Sequence, residues 1–479
     1  MSSKTLTAAI AAILFMTAGC SFIPEYRQPD LPVETTWSGR ADQTDSSAAK
    51  AENDGQTALA SDIAWQDYFG SETLKQLIQL TLDNNRDLRV AVLTIEKARA
   101  AYRIQRADSL PVISAGAGVS RQGVAEDNSS TGAAYTSDTT MTANLGVTAY
   151  ELDFFGRVRS LNQAALETYL ATEEAALNTR IVLIGQTADA YMTLLADRKL
   201  LELSQSTFQA QKETYEVIKS QFEVGSATQL DLAQAATSVE SARVSIAQYT
   251  RLAAQAENAV TLLAGTSVNS LLNSGETIDD IRFMDSLPAG LPSRVLLARP
   301  DIRSAEHQLK SANADIGAAR AALYPSISLT GSMGFASQSL TSLFDVSDSL
   351  AWSFAPSLTI PIFNRDGLNA SLEAAKISEK IAVASYEGTV QTAFREVADQ
   401  LAARKTYQDQ LKAQNALVDA TQASYTLSRA RYENGVDDFL TVLDSQRALF
   451  SAQQGAITVR QSYLSNLVNL YKVLGGGQI

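Results

Sequence analysis

Apolar and polar positions alternate with period two in four short segments, and the four fall into two pairs. In the first, Ile113, Ala115, Ala117 and Val119 form one face, with Ser114, Gly116, Gly118 and Ser120 on the other. In the second, Met141, Ala143, Leu145, Val147 and Ala149 alternate with Thr142, Asn144, Gly146, Thr148 and Tyr150. In the third, Ile327, Leu329, Met333 and Phe335 oppose Ser326, Ser328, Thr330 and Ser332. In the fourth, Leu350, Trp352, Phe354, Leu358 and Ile360 oppose Ser349, Ser353, Ser357 and Thr359. This period predicts strands, joined as β-hairpins over about 111–152 and 325–362. A soluble antiparallel sheet with one buried face has the same alternation. Segments of about ten residues with small polar groups on one face also suit outer-membrane barrel strands around a wet lumen. Pro356 lacks an N–H and predicts a weakened ladder at that end.

Elsewhere the period is helical. From about Arg157 to Phe222, and again from Asp366 to Tyr432, the chain is rich in Ala, Leu, Gln and Glu and contains no proline. Each stretch, as one helix of about 65 residues, reaches about 100 Å at 1.5 Å per residue. Ile181, Ile184, Ala188, Tyr191 and Leu195 alternate spacings of three and four, as do Val390, Phe394, Val397 and Leu401. That is the seam of a coiled coil. A glycine turn follows each long helix, Glu223-Val224-Gly225 and Glu433-Asn434-Gly435, and then a returning helix.

The chain therefore states one plan twice. RADSLPVIS (Arg106–Ser114) returns as RAALYPSIS (Arg320–Ser328), LDFFGR (Leu152–Arg157) as IPIFNR (Ile360–Arg365), and FEVGSATQLDLAQA (Phe222–Ala235) as YENGVDDFLTVLDS (Tyr432–Ser445). The offset stays near 210 residues, far longer than a solenoid repeat. The first repeat, 71–298, is read as helices, the hairpin, a long helix 157–222, a tip turn 223–226, a return helix 227–264 and an equatorial segment 265–298. The second, 299–479, has a helix 300–322, the hairpin, a long helix 366–432, a tip turn 433–436 and a return helix 437–472.

Composition removes most chemistry. The 479 residues carry a net charge of −13, with one cysteine, Cys20, and one histidine, His307. Scattered basic residues give no electrostatic footprint for nucleic acid. The inventory excludes a disulfide framework, a cysteine/histidine zinc site and a triad chosen from several histidines. There is no Gly-rich phosphate loop, and Gly475-Gly476-Gly477 reads as a flexible end. His307 reads as a solvent-facing or interface residue of a helix, and neither an enzyme, a metal nor a cofactor is expected.

The N-terminus reads as an address. Lys4, the apolar run Leu6–Met16 and the small residues Thr17-Ala18-Gly19 make a signal peptide over 1–19. Ala-Gly-Cys resembles a lipobox and contains the sole cysteine, so Cys20 is the expected lipidation site, opening an extended segment 20–70. Ser21 follows instead of the aspartate that resembles an inner-membrane retention signal. These features point to a lipoprotein anchored in the outer membrane of a Gram-negative bacterium. No other apolar run approaches the length of about 20 residues that spans a bilayer as a helix, so any further crossing must use strands. Four strands cannot close a barrel, and open edges are not tolerated in lipid. A dimer would give eight strands with a side-chain-filled interior. A trimer would give twelve and is the smallest assembly with an open lumen.

Several stretches resemble a known family. They are CSFIPEYRQPDLP (Cys20–Pro32), AWQDYFGSETLKQLIQLTLDNNRDLRVA (Ala64–Ala91), LARPDIRSAE (Leu297–Glu306), PSLTIPIF (Pro356–Phe363), RYENGVDDFLTVLDSQRALF (Arg431–Phe450) and NLYKVLGGG (Asn469–Gly477). The chain resembles the TolC-type outer-membrane factors, in the lipoprotein branch serving resistance-nodulation-division multidrug efflux pumps. The resemblance implies an α+β membrane protein: a homotrimer with a twelve-stranded barrel in the outer membrane, continuous with a long periplasmic helical barrel. It further implies a passive exit duct that docks a periplasmic adaptor protein and, through it, an inner-membrane transporter.

The same resemblance assigns residues. Leu440 would form an apolar constriction and Asp444 an acidic ring one helical turn away, together the channel gate. Asp231, Arg431 and Tyr432 would form the latch, with Tyr432 paired to Asp231. The glycine turns at Gly225 and Gly435 would be the adaptor-docking tips. The chain departs from the TolC pattern at Asp437, in place of an arginine, and at Thr441, in place of an aspartate. Two rival readings are a type I secretion duct, which shares the fold, and a periplasmic coiled-coil scaffold without a pore.

Overall fold

The computed structural model describes residues 21–34, 37, 59–125, 135–284, 287 and 292–479. The expected signal peptide and Cys20 lie outside them. After a 3-10 turn at Ala60–Asp62, the order is α1 (Trp65–Tyr68), α2 (Glu72–Asn84), α3 (Arg86–Ala107), β1 (Ile113–Ala125), β2 (Tyr135–Leu152), α4 (Arg157–Glu223) and α5 (Gln229–Ala264). There follow α6 (Asn269–Leu272), α7 (Pro292–Ala298), α8 (Pro300–Ala321), β3 (Ser326–Ser337), α9 (Val346–Ser349), β4 (Leu350–Thr359), α10 (Arg365–Glu433) and α11 (Phe439–Val473). The succession of helix, hairpin, very long helix and return helix occurs twice. The segment expected to be extended over 20–70 does contain helix, at Ala60–Asp62 and Trp65–Tyr68.

The helices α4 and α10 run unbroken for 67 and 69 residues. In α4, buried hydroxyl residues bond back one turn: Thr187 donates to the Leu183 carbonyl at 2.8 Å and Ser204 to Leu200 at 2.7 Å. Such back-bonding satisfies a buried hydroxyl without a partner helix. The end of α5 is set by Gly265, at φ +64. A Cβ there would also lie 2.6 Å from the Asn84 carbonyl oxygen, so glycine is required twice over.

The strands form one antiparallel sheet in the order β1-β2-β3-β4. Directly opposed residues share a face, so the register defines the two sides. Ile113, Ala115, Ala117 and Val119 oppose Val147, Leu145, Ala143 and Met141. Leu145 opposes Met333, which in turn opposes Trp352. On this side Ile113, Leu145, Met333, Trp352 and Phe354 are 59–75% exposed, an apolar sheet face open to its surroundings. The other side is small and polar, and hydroxyl pairs cross it: Ser328 with Ser357 at 2.7 Å and Ser332 with Ser353 at 2.8 Å. A Cβ at Gly334 would collide with the Ala143 carbonyl.

Two expectations need correction here. The alternation of β2 does not continue through Ala149, because a bulge lies between Val147 and Tyr150. Ala149 takes φ +50 and donates its N–H to Thr330 Oγ1 at 3.2 Å. The inserted residue shifts the register, so Tyr150 opposes Leu329 and joins the apolar side. The ladder is also not lost at Pro356, which opposes Leu329 while pairing continues to Thr359. Pro356 withholds only its own N–H, and the neighbouring pairs Thr330–Ala355 and Ser328–Ser357 keep the register on either side of it.

Two compact units emerge, and they are not the two repeats. One comprises 1–29, 95–172 and 305–386, the other 30–94, 173–304 and 387–479, so each draws on both halves of the chain. In the first unit, residues following Ser21 pack along α8: Asn313 Nδ2 donates to the Pro24 carbonyl at 3.0 Å and Tyr26 donates to Glu306 at 3.2 Å. His307 lies in this unit and is not simply solvent-facing. Its Nδ1 is 2.6 Å from Glu167 Oε2, and both side chains are largely buried. The second unit has the larger apolar core, where Trp65, Tyr68, Phe69, Tyr191 and Tyr471 are almost fully buried. The rings of Tyr68 and Tyr471 stack at 4.2 Å, and each hydroxyl donates to a carbonyl, of Leu467 and Ile63 respectively.

Candidate functional site: the helix tips

Both tips belong to the second unit, and both turns are built by the same backbone device. In the first, the N–H of Gly225 donates to Phe222 O at 3.0 Å and that of Ser226 to Gln221 O at 2.8 Å. In the second, Gly435 donates to Tyr432 O at 2.8 Å and Val436 to Arg431 O at 2.9 Å. This is the Schellman arrangement, which satisfies the last carbonyls of a helix when the residue after its cap is left-handed. Gly225 and Gly435 sit at φ +78 and +70. No atom lies within 4 Å of a Cβ built on either, so the need for glycine there is conformational and not steric.

The return helices start on mirrored caps. Thr228 caps α5: Asp231 N donates to Thr228 Oγ1 at 3.1 Å, while Thr228 N donates to Asp231 Oδ2 at 2.9 Å, closing a reciprocal box. Asp438 caps α11, accepting from Thr441 N at 3.0 Å and from Thr441 Oγ1 at 2.7 Å. The bonds from Thr441 hold the Asp438 carboxyl below its ordinary range. Threonine and aspartate have thus exchanged places between the tips. Thr441 has a local duty in the cap, where the TolC pattern carries an aspartate.

A small core joins the four helix ends. Ile218, Ala235, Phe439, Val442 and Leu443 are buried together, with Tyr215, Leu232, Tyr425 and Tyr432 packed around them. Each large side chain so buried contributes about 1.5–3 kcal/mol relative to exposure. Tyr432 packs its ring 5.7 Å from that of Phe439 and donates its hydroxyl to Gln221 Oε1 at 2.9 Å. Burial first, and then the Asp231 charge, raise the Tyr432 hydroxyl above its usual value. The expected Tyr432–Asp231 bond is therefore not made within the chain. Asp231 spends its carboxylate on the Thr228 cap, and Gln221 takes its place.

Arg431, expected in the latch, clamps its own turn. Its Nε and Nη2 reach Asp437 Oδ2 and Oδ1 at 2.6 and 2.8 Å, a bidentate pair across the tip. The Arg431 hydrogen bond holds the Asp437 carboxyl below its ordinary range. Sequence reasoning missed this pair, since a six-residue separation carries no signal until the turn geometry is known.

Leu440 and Asp444 lie one turn apart on α11, on the face turned away from the small core. Leu440 is 44% exposed. The Asp444 carboxylate is 3.7 Å from Arg447 Nη1, an exposed pair of the kind that contributes about 0–1 kcal/mol. The two residues are presented together, free of packing duties.

The comparisons agree with this architecture. The family model for the outer membrane efflux protein matches residues 77–266 and 291–476. The chain is 48% identical over 479 residues to the probable efflux pump outer membrane protein TtgC of Pseudomonas putida, covering 100% of this chain and 96% of that one. It is 40% identical over 468 residues to the outer membrane protein OprJ of Pseudomonas aeruginosa, covering 98% and 95%. The open state of the Neisseria gonorrhoeae MtrE outer membrane channel superposes with a TM-score of 0.85 at 37% identity, covering 96% and 99%. Matched in both halves by the family model and end to end by its relatives, the chain belongs to the outer membrane efflux protein family.

Proposed function

We propose that this chain is the outer-membrane exit duct of a tripartite efflux pump, passively conducting drugs and other small molecules. Three copies, each built of two tandem repeats, would supply twelve strands to one barrel. Their long helices would continue it as a periplasmic tunnel, whose tips receive the adaptor and, through it, a resistance-nodulation-division transporter. The observation that carries this reading is the open four-stranded sheet, apolar on one side, small and polar on the other, with β1 and β4 each lacking a neighbour on one edge among the described residues. In lipid such edges must be paired, and more copies of the same sheet supply the pairing. Helix α3 supports an oligomer too, for it buries no residue within the single chain and leaves Val90, Leu93 and Ile104 more than half exposed. The names of the relatives favour efflux over polypeptide secretion.

The test is the full-length protein in a planar bilayer, with its mass measured by light scattering. The proposal expects unitary currents and a mass of three chains. A monomer that gives no unitary current would return the reading to a coiled-coil scaffold. Restoration of drug resistance in a strain lacking its own efflux duct, but not of polypeptide secretion, separates the pump from the secretion duct.

A further inference from the structure

The second unit contains a cavity of about 710 Å³ walled by α4, α10, α11 and the loop before Phe283. That volume is typical of a small-molecule site. Its floor is apolar, made by Leu203, Leu411, Val418 and Ile457, all half-buried. At one end, two guanidinium groups converge on a single carbonyl: Arg282 Nη1 donates to Ile281 O at 2.9 Å and Arg460 Nη2 to the same oxygen at 3.1 Å. A second carbonyl, of Asp279, also accepts from Arg282. Each guanidinium has five donors, so most of them remain for something else.

Among the described residues, neither arginine has a carboxylate within ion-pair distance, although Lys199 on the same wall is paired with Glu202 at 3.2 Å. Two like charges brought to one oxygen repel each other, and the nearby Asp279 carboxylate offsets this only in part. Arg460 shows the effect, since burial and then the charge of Arg282 lower its guanidinium from the ordinary value. Arg282 is exposed, but Arg460 is half-buried, and a positive charge drawn even partly out of water is costly unless paired. An anion seated between the two would remove the repulsion and use the free donors bidentately.

We infer that this cavity binds a compact organic anion, its carboxylate or sulfonate held between Arg282 and Arg460 and its apolar body lying on Leu203, Leu411, Val418 and Ile457. The apolar floor separates this ligand from a free inorganic ion, which would leave the floor empty. The rim carboxylates of Asp279 and Asp419 disfavour an extended polyanion. The bound ligand would fasten the loop before Phe283 to α11.

The test is calorimetric titration of the full-length protein, held in amphipol, with 2-naphthoate and with the neutral 2-naphthamide. The inference expects saturable naphthoate binding at one site per chain, at least tenfold weaker in Arg460→Gln and in Arg282→Gln. Naphthamide should bind wild-type protein no better than naphthoate binds those variants. Inorganic phosphate, sharing only the charge, should displace naphthoate from wild-type protein, a measurement independent of how the variants fold. Naphthamide binding as tightly as naphthoate, an unchanged affinity in both variants, or failure of phosphate to compete even in large excess would each overturn the inference.

Discussion

The Tyr432 hydroxyl donates to Gln221 Oε1 at 2.9 Å, tying the last turn of α10 to the last turn of α4. In the duplicated pattern Gln221 stands where Arg431 stands in the second half, so equivalent positions have taken unlike tasks. Arg431 holds its own turn, whereas Gln221 holds the neighbouring helix. Removal of this bond by Tyr432→Phe should cost about 1 kcal/mol per chain, and a shift of that size, repeated in each copy of an oligomer, should favour open tips. Single-channel conductance should rise in Tyr432→Phe and in Gln221→Ala, with the double variant no higher than either. Asp231→Asn should leave conductance nearer wild type and instead weaken the α5 cap, by about 1 kcal/mol. A larger conductance change in Asp231→Asn than in Gln221→Ala would restore Asp231 as the latch partner.

The Arg431–Asp437 clamp should be sensitive to acid. Asp437 has a lowered pKa in the folded chain, so its contribution is present above the unfolded carboxylate value of about 4. That contribution is lost as pH falls through the lower folded value. Conductance of the wild-type channel should therefore acquire an acid-dependent increase below about pH 4, and Asp437→Asn should lack that component. A pH profile identical in the two proteins would show that the clamp does not restrain the tip.

The tip glycines make a prediction about backbone alone. Gly435→Ala should cost about 1–2 kcal/mol, the left-handed penalty, while Gly435→Asn should be milder, because asparagine visits this region more readily. Gly435→Val should be the worst of the three, since branching at Cβ stiffens the residue further. With open space around the site, membrane assembly should survive while capture of the adaptor in a pull-down declines in the order Asn, Ala, Val. Equal capture by all three variants would remove Gly435 from the docking tip.

Leu440 and Asp444 are exposed and support little in their own chain. Alanine at both should change stability by less than about 0.5 kcal/mol, yet raise conductance and admit large antibiotics if these side chains line the narrowest ring. Loss of the Asp444 carboxylate should also weaken cation selectivity. Unchanged conductance and selectivity would place the constriction elsewhere.

Cys20→Ser should abolish lipid attachment while leaving a protein that still inserts, because the apolar sheet face is untouched. Mass spectrometry of the wild-type N-terminus should show a lipid-bearing Cys20, and an unmodified cysteine there would end the lipoprotein assignment.

The hairpins and long helices were legible because each obeys one period for many residues. The alternation from Ile113 to Val119 and the proline-free run from Arg157 to Phe222 leave few alternatives. Legibility failed wherever one residue broke a period or a side chain had two candidate partners. The bulge at Ala149 adds a residue that no period-two reading contains. Asp231 looked available to Tyr432, although Thr228-x-x-Asp231 has the spacing of a capping box and could have revealed that its carboxylate was engaged. The Arg431–Asp437 clamp and the Arg282–Arg460 pair are products of tertiary geometry, and no local spacing announces them.

The open margins of the sheet have a consequence for the life of the chain before it reaches its membrane. Main-chain ladders are blind to sequence, so β1 and β4 would accept any strand offered to them. If copies close into the proposed ring, a newly exported subunit would be at its most vulnerable while alone, and insertion and ring closure would be best accomplished as one event. The same blindness applies to siblings: in a cell exporting several members of this family, the ladder would not tell a subunit from its cousin. Kin recognition in the proposed ring would then have to be written in side chains on the edge strands, such as the exposed Trp352 and Phe354 of β4.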